Sequence, residues 1–221
     1  GLNPTNGEPL FDDWEDRQDE LKGLTKYECY TRVLTPSGTR EPTISGMLSN
    51  TLRYRNWRLN LNLTYSLGSK IRRFKLFEST VFSPVMNVPA EFNNRWRKPG
   101  DELTTNIPNP DCYRSHYSSS SSMNNEMPII AYNNMDMYNY SDIRVVSGDY
   151  LKCSTVGLTY EFAGEKIARW GMSRLAVNLA ANNLFTICSP ELRGQTPQQS
   201  GFAQIELTDR PMFTVSLDIS F

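Results

Sequence analysis

The stretch WRLNLNLTYSLGS, residues 57–69, decides the fold of this chain, because apolar and polar side chains alternate strictly along it. A period of two places successive side chains on opposite faces of an extended strand. The alternation runs past the roughly 5–6 residues of an average strand and suits the ~9–11 residues with which a tilted strand crosses a bilayer. We therefore predict a long β-strand with one apolar face and one polar face.

The last residues of the chain repeat this pattern and finish on an aromatic side chain. One face of this second strand is apolar: Phe213, Val215, Leu217, Ile219 and Phe221. The other face is polar: Thr214, Ser216, Asp218 and Ser220. Terminal residues of soluble domains usually fray, whereas here we expect the final residue to belong to the sheet.

Three weaker strands are predicted over residues 43–54, 149–162 and 174–183. Asn50 interrupts the apolar face of the first, and the second becomes regular only from Val156. No run of about 18 apolar residues occurs, which excludes a transmembrane helix. The sequence thus predicts an all-β chain of antiparallel strands.

The links between the predicted strands differ in length in an ordered way. Arg55-Asn56 is a tight hairpin link, and 163–173 is a medium link in which residues 165–170 form one or two helical turns. Two long links, 70–148 and 184–210, alternate with these. Outer-membrane barrels have short periplasmic turns and longer extracellular loops. We therefore predict part of a transmembrane β-barrel whose long links are extracellular.

Five aromatic residues fall at the end of the sheet that carries the shorter links: Tyr54, Trp57, Phe162, Trp170 and Phe221. Amphipathic rings favour the headgroup level of a bilayer, so we interpret these residues as an aromatic girdle. The alternative interpretation is that Tyr and Trp are common in strands of any kind.

The composition of the chain excludes some classes of function. The formal net charge of −1 implies no strongly basic surface, so nucleic acid is not an expected partner. The chain opens with GLNPTNG, residues 1–7, which is typical of a loop, and no signal peptide is recognisable there. We expect residues 1–221 to be a fragment of a longer protein.

Several short runs resemble late barrel strands of SusC/RagA-type TonB-dependent transporters of the outer membrane. They are PTISG (42–46), NTLRYRNW (50–57), YSLGSK (65–70), DIRVVSGDYLK (142–152), LTYEF (158–162), NNLFT (182–186) and VSLDISF (215–221). Each run is short, but in this order they extend over nearly the whole chain. By this resemblance the chain is identified as the C-terminal portion of such a transporter.

The resemblance implies a plugged barrel of about 22 strands, with residues 1–221 as its C-terminal arc and with the plug domain and N-terminal strands absent. It implies an outer-membrane importer of oligosaccharides or other large nutrients, and no enzymatic activity. The implied partners are a SusD-like surface lipoprotein, the energy-coupling protein TonB (through the missing N-terminal part), outer-membrane lipid and the barrel-assembly machinery. Residues 70–148 would meet the lipoprotein.

Two sets of residues are candidate functional sites. The first is a C-terminal signal for barrel assembly, formed by Phe213, Val215, Leu217, Ile219 and Phe221, because the last strand of a barrel must pair with the first to remove its edges. The second is a lumen-facing set: Arg58, Asn60, Asn62, Thr64, Asn178, Asn182, Ser216 and Asp218. These polar groups suit hydrogen bonds to sugars or peptide backbones, and they equally suit a wetted lumen or a plug contact.

No catalytic, cofactor or metal site is predicted. His116 stands beside the serine run 118–122, but no nucleophile elbow surrounds them. The acidic stretch 8–20 lacks the residue order of a calcium loop. Cys29, Cys112, Cys153 and Cys188 lack the close spacing of a zinc or redox site.

Two other functions remain open at this point. One is a soluble carbohydrate-binding β-sandwich, in which some of the 11 Tyr and 4 Trp would stack on sugar rings. The other is a piece of a passive porin, which the missing plug domain would distinguish from an importer.

Overall fold

A computed structural model describes residues 1–11, 20, 24–77, 89–113, 133–192, 194–199 and 208–221. The chain divides into two compact units. Gly1–Ser37 and Arg72–Val145 form the first, which we call the insert unit. Gly38–Ile71 and Val146–Phe221 form the second, which we call the sheet unit.

The described residues are mostly antiparallel sheet with few helices, which confirms the all-β prediction. The strands are β1 (Ile44–Tyr54), β2 (Trp57–Leu67), β3 (Lys70–Arg72), β4 (Val145–Ser147), β5 (Tyr150–Glu161), β6 (Arg174–Cys188) and β7 (Met212–Ser220). The α-helices are α1 (Lys26–Val33), α2 (Asn134–Tyr140) and α3 (Gly164–Ile167). Short 3-10 helices occupy Ala90–Asn94, Asp101–Leu103, Pro110–Cys112, Asp142–Arg144, Ala168–Trp170 and Pro190–Leu192.

The sheet unit is built on a five-stranded sheet in the order β1-β2-β5-β6-β7. Each strand pairs with its neighbours in antiparallel register. The strands β3 and β4 pair separately as a two-stranded ribbon. Among the described residues the five-stranded sheet is open, with β1 and β7 at its edges.

The five predicted strands all occur, but β6 is longer than predicted and continues to Cys188. The predicted link 184–210 therefore begins too early. The cause is local, because Asn183 has a left-handed φ of 53° and residues 183–184 have no partner in the register between β5 and β6. This irregularity interrupts the alternation that marks the strand in the sequence.

A bulge at Ser154 changes the phase of β5. Residues 62–63 of β2 pair with Thr155 and Cys153, which leaves Ser154 as an extra residue. A bulge of this kind re-aims the side chains that follow it. The apolar face of β5 passes from odd-numbered positions, ending at Cys153, to even-numbered positions from Val156. The predicted alternation is regular only from Val156 for this reason.

The shorter links match their predictions. Arg55-Asn56 is a two-residue turn between β1 and β2, and Arg55 has a φ of 53°. The helical turns predicted over residues 165–170 are α3 and the 3-10 helix Ala168–Trp170.

The insert unit contains a packed core that the sequence did not reveal, since residues 70–148 were predicted only as a long polar link. The core consists of Leu76, Phe77, Phe92, Ile107, Met135 and Tyr138, with Phe11 and Cys112 packed against it. The ring of Phe77 meets those of Phe92 and Tyr138 edge-on, with centroids 6.0 and 5.9 Å apart. Because these residues come from distant parts of the chain, no local periodicity in the sequence predicts the core.

A buried ion cluster holds the base of the insert unit together. The side chain of Arg144 is only 1% exposed. It donates two hydrogen bonds to the carboxylate of Glu91, from Nη2 to Oε1 at 2.9 Å and from Nη1 to Oε2 at 3.1 Å. Arg73 donates to the same carboxylate. The Arg144 guanidinium also donates to the Phe74 carbonyl and lies 5.6 Å from the ring centroid of Tyr138. Glu91 thus joins two parts of the insert unit that are distant in sequence, the segment around Arg73 and the segment around Arg144.

Candidate functional site

The apolar side chains of the five-stranded sheet line up in rows that cross all five strands. One row is Leu52, Leu59, Leu158, Leu179 and Val215, in which each residue pairs with the next. A second row is Tyr54, Trp57, Tyr160, Val177 and Leu217. The sheet therefore presents one continuous apolar face.

Much of this face is open to its surroundings. Leu52 is 60% exposed, Leu48 57%, Val215 73% and Leu217 58%. Soluble monomers rarely expose a contiguous apolar patch of more than a few hundred Å². A face of this kind has the chemistry of a surface that contacts hydrocarbon.

Aromatic side chains gather at the end of the sheet that carries the Arg55-Asn56 turn. The rings of Trp57 and Tyr160 lie 4.6 Å apart, and those of Tyr160 and Phe162 lie 4.9 Å apart in an edge-on arrangement. All five residues of the predicted girdle are exposed: Tyr54, Trp57, Phe162, Trp170 and Phe221. The sheet thus has an apolar band with an aromatic border at one end.

The eight predicted lumen-facing residues all belong to the opposite, polar face of the sheet. Arg58, Thr159, Asn178 and Ser216 form one row across four strands. Another row joins Asn62, Thr155 and Asn182.

Hydroxyl and amide groups bridge neighbouring strands across this polar face. The hydroxyls of Thr51, Thr155 and Thr159 donate to the amide oxygens of Asn60, Asn182 and Asn178, at 3.0, 3.1 and 2.7 Å. Ser49 donates to Asn62 at 2.7 Å, and Thr64 bonds to the bulge residue Ser154 at 2.8 Å. Asn178 in turn donates to Asp218 at 2.6 Å. These bonds order a continuous layer of polar groups on this face of the sheet.

The predicted assembly-signal residues form one row along β7. Phe213, Val215, Leu217 and Ile219 are all exposed. The strand itself ends at Ser220, so Phe221 lies just beyond it rather than within it, and it is 89% exposed.

The other residues considered in the sequence form no candidate site within the described part of the chain. His116, the serine run 118–122, Asp12, Asp13, Glu15, Asp16 and Asp19 lie outside the described residues. Glu8 is buried in the insert unit, and Glu20 pairs with Arg32 at 2.8 Å. The thiol of Cys112 donates to the carbonyl oxygen of Asn6 at 2.7 Å. Cys153 is buried, Cys188 is half-buried, and the side chain of Cys29 lies outside the described part.

Sequence reasoning missed Arg53, which stands directly opposite Arg58 on the polar face. The alternation of the sequence did indicate this position, since Arg53 comes one residue before Tyr54 in a predicted strand and must therefore face the polar side. Reasoning also missed Glu91 and Arg144, which are 53 positions apart. No local pattern links two such distant residues.

Comparisons with known proteins bear on the fold. No protein-family model matches the sequence, and no curated protein matches it. Among solved structures, the chain is similar to the RagAB peptide transporter, with a TM-score of 0.58 and 16% identity over 83% of this chain and 18% of that one. It is also similar to the RagAB peptide importer in the "open-open" state, with a TM-score of 0.55 and 15% identity over 100% of this chain and 21% of that one.

The chain shares the fold of the matched region. It spans about a fifth of the length of those structures. In the described part of this chain, no helix has the length and apolar character needed to cross a membrane.

Proposed function

We propose that this chain is part of an outer-membrane importer of large nutrients of the SusC/RagA type. The observation that carries the proposal is the exposed apolar face, which crosses five antiparallel strands of 9 to 15 residues. Lipid-facing strands need ~9–11 residues and an outward apolar face. The likeness to the RagAB fold supports the same assignment.

In this proposal residues 1–221 form the C-terminal arc of a plugged barrel of about 22 strands. The arc leaves β1 and β7 as edges, and other strands of the longer protein pair with them, because a lipid-exposed edge leaves backbone groups unsatisfied. The apolar row of β7 with Phe221 is the part that the barrel-assembly machinery recognises. The exposure of its side chains makes the row available for that contact.

The polar face then lines the lumen. Its Asn, Thr and Ser side chains can exchange hydrogen bonds with peptide backbones or with sugar hydroxyls, so peptides and oligosaccharides are both candidate nutrients. The RagAB structures, with which the chain shares its fold, are those of a peptide transporter. The chemistry of the wall is compatible with that class, since amide side chains such as those of Asn60 and Asn178 can pair with peptide groups.

The partners in this proposal are a SusD-like surface lipoprotein and TonB. The insert unit offers the lipoprotein a folded surface, because its core is independently packed. TonB acts through the N-terminal part of the longer protein. The soluble β-sandwich is disfavoured by the exposed apolar rows, since a sandwich buries that face against a second sheet.

The test uses the longer protein of which residues 1–221 form a part, here called the parent protein, in the cell that produces it. We expect it in the outer-membrane fraction, and we expect a deletion strain to lose uptake of labelled oligopeptides or oligosaccharides while it still takes up monomers. Uptake by the parent strain should stop when the proton gradient is collapsed. Normal uptake by the deletion strain contradicts the proposal. Uptake that survives loss of the gradient favours a passive porin.

A further inference from the structure

Two arginines meet on the polar face next to the Arg55-Asn56 turn. Arg53 of β1 and Arg58 of β2 are directly opposite each other. Side chains in such pairs have Cβ atoms about 4.5–5.5 Å apart, and like charges placed this way destabilise the sheet. A negative group close to both guanidinium ions would offset this repulsion.

The described residues do not supply that group. The Nε of Arg58 is buried and has no hydrogen-bond partner among them. Glu161, the carboxylate on the neighbouring strand, is held by Arg174 at 2.9 Å. Asp218 accepts a hydrogen bond from Asn178 at 2.6 Å, and it lies on β7, about 14 Å from β2 at ~4.8 Å per strand.

We propose that Arg53 and Arg58 together bind a carboxylate on a segment of the longer protein that lies against the polar face and outside residues 1–221. The inference rests on the proposed function, in which the polar face encloses other parts of the same chain. Guanidinium groups bind carboxylates through paired, charge-assisted hydrogen bonds, so an Asp or Glu side chain matches the site.

A resident carboxylate fits better than a diffusible one. The shared fold extends over only 18–21% of the matched chains, so most of such a protein lies outside these residues. The Nε of Arg58 is closed to solvent, and a permanently bound group offsets the like-charge repulsion at all times. A nutrient would do so only while bound.

The test is zero-length cross-linking in the purified parent protein. The variants Arg53→Lys and Arg58→Lys keep the positive charge and introduce a primary amine at each position. A water-soluble carbodiimide joins such an amine to a carboxylate in direct contact, and mass spectrometry identifies the joined peptides. We expect each variant to yield a new cross-link to one Asp or Glu outside residues 1–221.

Two controls make the result decisive. The native pair Lys152–Asp209, at 2.8 Å, should cross-link in every sample. The variant Ser216→Lys, on the polar face of β7, should give no new cross-link to a residue outside residues 1–221. The inference is overturned if positions 53 and 58 stay unlinked while Lys152 reacts. It is equally overturned if they link to a residue within 1–221 or only after acidic oligopeptides are added. Outer-membrane location of the parent is scored separately, so failure of the inference is distinguishable from failure of the proposed function.

Discussion

Glu91 compensates two arginines in the interior of the insert unit. Burial lowers the pKa of the Arg144 guanidinium from its ordinary value, because the charged form loses solvation, while Tyr138 acts in the opposite direction. Arginine nevertheless stays charged at neutral pH. Glu91 is thus the carboxylate shared by Arg144 and Arg73. A buried charge that loses its counter-ion is far more costly than the intact cluster.

Replacing that carboxylate should loosen the insert unit. We expect Glu91→Gln to destabilise it by about 3–5 kcal/mol, the cost of leaving a buried ion uncompensated. Hydrogen–deuterium exchange of the parent should then accelerate in residues 72–77 and 138–145. The matched control is Arg32→Gln, which breaks the half-exposed pair with Glu20 and should cost no more than ~1 kcal/mol. Equal exchange in the two variants would refute a stabilising role for the cluster.

Gly7 is required by close packing as well as by its backbone. Its φ is +74°, and a Cβ added there would lie 2.5 Å from the ring of Trp96. Gly7→Ala should therefore destabilise the insert unit by about 1–3 kcal/mol through overpacking, in addition to backbone strain. Gly100→Ala is the control, because Gly100 has a φ of +101° with no atom within 4 Å of the added Cβ. Thermal unfolding followed by Trp fluorescence should show the larger loss for Gly7→Ala.

At the scale of elements, alternation in the sequence predicted the strands but not their irregularities. The strand β2 could be located from residues 57–67 alone, since each face is chemically uniform. The bulge at Ser154 and the left-handed Asn183 could not, because a bulge depends on the pairing of neighbouring strands. Both irregularities mark the places where the predicted alternation stops.

The bulge explains why the apolar positions of β5 change from odd to even numbers at Ser154. Deleting Ser154 should remove the bulge and leave Lys152 on the polar face, because Cys153 and Thr155 then follow each other on opposite faces. Ser154→Ala keeps the bulge and loses the bond to Thr64, so it should cost only about 1 kcal/mol. We expect both variants to reach the outer membrane as folded protein, measured by the heat-modifiable band of the parent. Loss of that band in the deletion variant alone would argue against Ser154 as an extra residue of the strand.

Adjacent residues of β2 should respond oppositely to charge. Leu61→Lys places an ammonium group in the middle of the apolar face and should cost about 2–4 kcal/mol if that face meets lipid. Asn62→Lys places the same group on the polar face and should be tolerated. The measurement is the amount of parent protein assembled in the outer membrane. Equal loss in both variants would contradict the assignment of the faces.

At the scale of the whole molecule, the sheet was predictable from the sequence and the insert unit was not. Each strand carries its own signal, because the environment of a sheet face is set by position along the strand. The insert core joins residues as distant as Phe11 and Tyr138, and contacts of that range leave no trace in local periodicity. The candidate lumen-facing residues followed from alternation, whereas the Arg53–Arg58 pair required the strand register.

The proposed function requires that the apolar face of the sheet, and not the polar face, meets lipid. Nitroxide spin labels at positions 179 and 180 of β6, in the parent protein in outer-membrane vesicles, test this directly. Leu179 belongs to the apolar face and Ala180 to the polar face. We expect the label at 179 to collide mainly with apolar molecular oxygen and the label at 180 mainly with a water-soluble nickel chelate. Equal accessibility to both reagents at the two positions would contradict it.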